Sequence, residues 1–162
     1  MAKDNRTVIK AEPGKQEIVI TRAFDASRDV VFKAFVDPTA VPQWWGPREL
    51  KTTVDQMDVR AGGQWHYTQR DSKGNEYAFH GVYHAVQSPG RIVQTFEFEG
   101  APGHVSLETM TLEEQGGKTL LKTVSVFQSL QDRDAMVAAG MEKGVVEGYE
   151  QFDELLAKRR NA

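Results

Sequence analysis

The sequence predicts an α+β domain in which a seven-stranded antiparallel sheet curves around one long C-terminal helix. Three observations predict it. Between Leu50 and Phe127, six segments rich in β-branched and aromatic residues follow one another, separated by short Gly- and Pro-bearing turns. A further β-rich run, Gln16 to Phe24, stands before them. From Ser129 onward, Met141, Val145, Tyr149, Phe152 and Leu156 recur at three- and four-residue spacing, the period of one helix face. An antiparallel sheet with one apolar face must cover it, and the C-terminal helix is the only large cover available.

Taken in order, residues 1–15 are polar, end in Glu12-Pro13-Gly14, and read as a flexible lead-in to a single domain over 16–162. The run Glu17 to Phe24 reads as strand one. Ser27 is a good N-cap for a short amphipathic helix carrying Val30, Val31, Phe32, Ala34 and Phe35, which Asp37-Pro38 stops. Thr39 to Trp45 gives a second short helical piece closed by Gly46-Pro47. Strands are then expected over Leu50–Asp58, Gly63–Arg70, Tyr77–Val86, Ile92–Glu99, His104–Glu113 and Thr119–Phe127. The turns between them are of hairpin length, so neighbours pair antiparallel. Strand one is expected at an edge, beside the last strand. Gly140, Gly144 and Gly148 lie four apart on the terminal helix, each costing about 1 kcal/mol relative to Ala. They mark close approach to the sheet, a break near Gly140, or room for a ligand.

Composition narrows the function classes. With 162 residues, 40% apolar and 27% charged, the chain has the makings of one ordinary globular domain. A net charge of -3 offers no basic field for nucleic acid. The absence of cysteine removes disulfides, thiolate nucleophiles and zinc–thiolate sites together. No apolar run approaches the roughly 20 residues of a membrane span, and no leader pattern opens the sequence, so a cytoplasmic protein is expected. There is no Gly-x-Ser-x-Gly elbow, and the paired glycines sit in hairpin turns rather than in a phosphate loop. No cofactor is expected.

The segments Thr21-Arg22-Ala23-Phe24-Asp25-Ala26, Asp37-Pro38, Trp44-Trp45-Gly46-Pro47 and Met57-Asp58-Val59-Arg60-Ala61-Gly62-Gly63 carry a family resemblance. So do His80-Gly81-Val82-Tyr83 and the terminal Gly148-Tyr149, Phe152 and Leu155-Leu156. Over Gln16 to Leu156 the chain resembles the START-like, helix-grip superfamily, and within it the homologues of the activator of the heat-shock-protein-90 ATPase. The family's terminal motif usually has Trp after the glycine; Tyr149 stands there instead and adds a hydroxyl. The resemblance implies an internal cavity between sheet and long helix, of the kind used for apolar or aromatic small molecules. It also brings cyclases and hydrolases into view, and by name chaperone ATPase co-activation. That last role belongs to longer eukaryotic proteins with an additional domain, which this chain is read as lacking.

Candidate site residues follow from strand register. Pairing across the Asp71–Asn75 turn sets Tyr67 opposite Phe79 and Trp65 opposite Gly81, which leaves space for the indole. Trp65, Tyr67, Tyr77, Phe79 and Tyr83 then share one face, because strand side chains alternate. That face is packed core or ligand box. The same register gathers His66, His80 and His84 on the opposite, outer face, with no carboxylate from the same segments to complete a metal set; surface histidines are expected and no metal. Glu97/Glu99 and Glu113/Glu114 are read as solvated acids. If Leu112 pairs with Thr119, Glu108 and Met110 share the inward face with Leu121 and Thr123, so Glu108 is a buried general base or a ligand anchor; a one-residue slip would turn it outward.

The expected function is therefore enclosure of an apolar or aromatic small molecule. The aromatic wall is Trp45, Trp65, Tyr67, Phe79 and Tyr83. Met110, Met141 and Phe152 add apolar surface, while Glu108 and Tyr149 supply polar contacts. The alternative is a cyclase- or hydratase-like enzyme on a polyketide-like substrate. Glu108 would then move protons and Tyr149 would stabilise an oxyanion. An exposed edge strand leaves a homodimer as an option; neither nucleic acid nor membrane is an expected partner.

Overall fold

The computed structural model describes residues 5–160. The chain runs β1 (Val8–Lys10), β2 (Glu17–Phe24), α1 (Arg28–Phe35), α2 (Val41–Trp44), β3 (Lys51–Met57), β4 (Gln64–Arg70), β5 (Glu76–Gln87), β6 (Arg91–Phe98), β7 (Val105–Gln115), β8 (Lys118–Phe127), α3 (Leu130–Ala138) and α4 (Met141–Arg160). The sheet order is β1-β2-β8-β7-β6-β5-β4-β3, antiparallel throughout. This is the helix-grip arrangement, with eight strands rather than the expected seven.

The extra strand comes from the segment read as a lead-in. Val8, Ile9 and Lys10 pair with Thr21, Ile20 and Val19, so β2 has a neighbour on each side and β1 takes the edge. Three residues are too short for a periodicity signal. A second tie, the Arg133 guanidinium donating to the Glu12 carbonyl at 2.9 Å, fixes the same segment to α3. Residues 1–4 lie outside the described residues.

Local signals hold elsewhere. The Ser27 side chain accepts from the Val30 N–H and caps α1, while Ser129 does the same for Asp132 at the start of α3. Asp37 accepts from Thr39 and from Arg159, joining the α1 stop to the end of α4. Gly140 has φ +83°, a left-handed value that ends α3 and lets α4 leave in a new direction. The helical stretch beginning after Ser129 is thus two helices.

The other two glycines of the trio do face a close neighbour, but it is the α2 turn rather than the sheet. A Cβ on Gly148 would meet the Trp44 carbonyl oxygen at 3.1 Å, and one on Gly144 would meet Pro47 Cδ at 3.4 Å. The Gln151 amide donates to the Gly46 carbonyl at 3.0 Å, so α4 holds this turn by hydrogen bonding as well as by contact.

The core is dense at one end. Phe152, wholly buried, stacks on Phe35 at 4.5 Å and meets Phe24 and Trp44 edge-on at 5.0 Å each. Leu121, Leu156, Val31 and Val41 close around them. Aromatic pairs in such offset and edge geometries add about 1 kcal/mol each beyond the area they bury.

Candidate functional site

Trp44 and Trp45 part company at the end of α2. Trp45 adopts an extended backbone (φ -72°, ψ 119°), which turns its ring away from that of Trp44. Trp44 joins Phe35 and Phe152 in the packed end. Trp45 instead approaches Tyr67 at 5.1 Å and Phe79 at 5.2 Å, over the inner face of the sheet. Between that face and the first turns of α4 lies a cavity of about 980 Å³, at the upper end of the usual range for small-molecule pockets.

The strands aim side chains into it by alternation. Tyr67 stands opposite Phe79, and Trp65 opposite Gly81, as the turn register required. Gly81 has no room for a side chain: a Cβ there would lie 1.9 Å from the Thr95 carbonyl oxygen and 2.5 Å from the Trp65 Nε1. Trp65, Tyr67, Phe79 and Tyr83 all line the cavity, joined by Trp45. Met110, Met141, Tyr149 and Glu108 line it too. Phe152 does not. It is a correction to the expected wall: one helical turn beyond Tyr149, its ring points into the packed end, where Phe24 and Phe35 fill the space.

Glu108 faces inward although its neighbour on β8 differs from the expected one. Leu112 pairs with Leu121 rather than Thr119, which brings Glu108 beside Ser125 and Met110 beside Thr123. A shift of two residues preserves the face. The Glu108 side chain is half-buried, part of its surface opening onto the hollow. Ser125 Oγ donates to it at 3.3 Å and Gln94 Nε2 at 3.4 Å, both longer than ordinary hydrogen bonds. Burial pushes its pKa up to about 7 against these two weak donors. At neutral pH the group is poised between acid and carboxylate.

The phenols stay neutral. Burial raises the Tyr149 pKa despite a hydrogen bond with Thr123, and raises that of Tyr67; Tyr83 is pushed up to about 12 for the same reason. They serve as hydrogen-bond donors rather than bases.

Residue-by-residue reading missed the β6 contribution. Gln94, Phe96 and Phe98 alternate along β6 and all line the cavity, with Phe79 and Phe98 rings 5.2 Å apart. The alternation was available in Gln94-x-Phe96-x-Phe98, and pairing of Gln94 with Glu108 makes them share a face.

The outer face holds His66, His80 and His84. His66 and His80 rings stack with centroids 6.3 Å apart, while His84 is exposed on the same strand as His80. Carboxylates do join them, but from other segments: Asp55 on β3, and Glu97 and Glu99 at the end of β6. His66 Nδ1 lies 2.8 Å from Asp55 and its Nε2 lies 2.8 Å from Glu99. His80 contacts Glu99 at 2.9 Å and Glu97 at 3.3 Å. So Glu97 and Glu99 are ion-pair partners, not merely solvated acids. Burial lowers the His66 pKa, but Asp55 and Glu99 outweigh it and the net shift is upward. Among the described residues, no group of three or more His, Asp or Glu is arranged to hold a metal ion. None of the helices among them is long and apolar enough to cross a membrane.

Comparison with known proteins agrees with this architecture. Among solved structures, protein Ms6760 from Mycobacterium smegmatis is similar at 25% identity and TM-score 0.84, covering 93% of this chain and 96% of that one. A protein from Arthrobacter aurescens matches at 25% identity and TM-score 0.86, over 93% and 91% of the two chains. Protein CV1439 from Chromobacterium violaceum matches at 25% identity and TM-score 0.78, over 87% and 96%. No curated protein matches the chain. The family described as Activator of Hsp90 ATPase homolog 1-like protein matches residues 25–157. With that match spanning most of its length, and a START-like fold beneath it, the chain belongs to the Activator of Hsp90 ATPase homolog 1-like family.

Proposed function

We propose that the protein encloses an apolar, aromatic small molecule in the cavity between the sheet and α4. The observation that carries this reading is a hollow of about 980 Å³ walled by aromatic rings, at whose surface few polar groups converge. Well-packed interiors leave few voids larger than a water molecule, so a hollow this size is space that the protein's own side chains do not fill. Rings and methionines provide adaptable apolar contact, and Glu108, Gln94 and Tyr149 provide orientation.

Titration with 1-naphthalenemethanol, followed by tryptophan fluorescence, tests the reading. Trp45 and Trp65 border the hollow, so saturable one-to-one binding with a spectral shift is expected, weakened in Met141→Trp, whose indole takes up part of the space that Met141 lines. Absence of saturable binding by this and similar aromatic probes overturns it.

Glu108 favours a second reading, a proton-transferring enzyme of cyclase or hydratase type. A carboxyl with a pKa of about 7 facing the cavity suits general acid–base work, and the neutral Tyr149 hydroxyl suits a developing oxyanion. Turnover of a polyketide-like substrate that survives Glu108→Gln would remove that residue from any such mechanism.

A further inference from the structure

We propose that the cavity selects apolar molecules that carry a protonatable nitrogen, with Glu108 as the counter-charge; this rests on the reading of the cavity as a binding site.

The charges of the lining set this preference. Glu108 is the acid deep in the hollow. The basic residues of the lining are Lys143 and His104, and both stand at the mouth. Their side chains are 55% and 60% exposed, and each is already paired, Lys143 with Glu49 at 2.7 Å and His104 with Asp132 at 2.9 Å. No cation among the described residues hydrogen-bonds Glu108; its donors are the neutral Ser125 and Gln94, at 3.3 and 3.4 Å.

Three kinds of ligand then fare differently. A carboxylate ligand would bring a negative charge into a low-dielectric space that offers no cation to meet it, and would hold Glu108 in its protonated form, which is costly. A neutral ligand leaves Glu108 as it stands near neutral pH, poised between acid and carboxylate and weakly bonded to Ser125 and Gln94. An ammonium ligand changes the state of the site: Glu108 releases its proton to solvent and becomes the carboxylate partner of the cation. The same pair arises if a neutral amine enters and takes the Glu108 proton. In either route one proton is exchanged and no other bond changes. The resulting charge-assisted hydrogen bond is about twice as strong as a neutral one. Ser125 and Gln94 remain in place to donate to the carboxylate oxygens, which offsets part of the burial cost of the ion pair.

The aromatic walls favour the same ligand. Trp45, Tyr67 and Phe79 present ring surfaces beside the hollow, and ring faces attract cations, the more so once water is excluded. A box of rings with a carboxyl at its floor is the chemistry that recognises a lipophilic amine.

The test compares three probes of similar size on the intact protein by calorimetry near neutral pH: 1-naphthylmethylamine, 1-naphthalenemethanol and 1-naphthoic acid. The amine is expected to bind at least about tenfold more tightly than the alcohol, and the acid more weakly than either. In Glu108→Gln the amine-to-alcohol ratio is expected to fall to near one, with circular dichroism confirming the fold. Equal binding of amine and alcohol by the unaltered protein overturns the charge preference while leaving the cavity reading intact. A preference that survives in Glu108→Gln overturns the assignment to Glu108. If none of the three binds, the cavity reading itself fails.

Discussion

Along a single helix, α4, the surroundings change from solid to hollow. Its C-terminal half buries Phe152, Leu155 and Leu156 against α1, α2 and the near end of the sheet. Its N-terminal half, from Met141 to Gly148, seats Gly144 and Gly148 against the α2 turn and otherwise borders open space. Trp44 and Trp45 mark the boundary, one ring packed against Phe152 and the next directed at Tyr67 and Phe79. The lesson is one of division of labour. The filled end supplies the cohesion, so the other end keeps aromatic surface unfilled without loss of the fold.

The largest expected effect sets the two ends against each other. Phe152→Ala empties a fully enclosed site, and a loss of about 3–5 kcal/mol in urea denaturation is expected. Phe79→Ala on the hollow side is expected to cost less than about half of that, since its ring already lacks neighbours on one side. Equal losses would mean that the hollow is closed in solution.

Glu108 sharpens the comparison through pH. Its pKa is raised from 4.5 to about 7, so the folded state holds its proton where the unfolded chain has released it. Its contribution is therefore present in full below pH 4.5 and is lost as pH rises through 7. Glu108→Gln should remove this slope and gain on the order of 2–3 kcal/mol relative to the unaltered protein at pH 8. Parallel stability–pH curves for the two proteins between pH 4.5 and 8 would show that water in the hollow solvates the carboxylate.

The glycines on α4 differ next. Gly148→Ala drives a methyl against the Trp44 carbonyl and should cost about 1 kcal/mol or more, seen as a lower Tm. Gly144→Ala meets only Pro47 at contact distance and should gain up to about 1 kcal/mol from helix propensity. Equal effects at both would deny the close seat of the α2 turn on α4.

The smallest effect lies outside both ends. His66→Ala removes partly exposed ion pairs with Asp55 and Glu99, a change of about 0–1 kcal/mol that high salt diminishes. Because His66 titrates above its usual 6.5, the contribution is complete below that pH and fades as pH rises through the raised value. A loss undiminished by salt and constant from pH 5 to 9 would assign His66 to packing instead.

How much was legible in the chain varies by element. The Asp71–Asn75 turn determined the β4–β5 register because a tight hairpin leaves little freedom of pairing. The β7–β8 pairing was displaced by two residues, yet Glu108 kept its face because side chains alternate with period two. β1 was invisible, since three residues beside Pro13-Gly14 carry no pattern and only a waiting strand edge gives them a partner. Phe152 shares a helix face with Tyr149, and helical periodicity alone does not tell the cavity-lining positions of that face from the packed ones. The glycine trio was read for its spacing, but which surface it meets depended on the α2 turn.

Local periodicity and short turns suffice for the inward aromatic row, the helix that covers it, and the element order apart from β1 and the division of the terminal helical stretch. Only tertiary structure decided where the interior is filled and where it is left open. Those outcomes depend on how far the sheet curves and on which rings meet across it, distances that residues far apart in the chain set together.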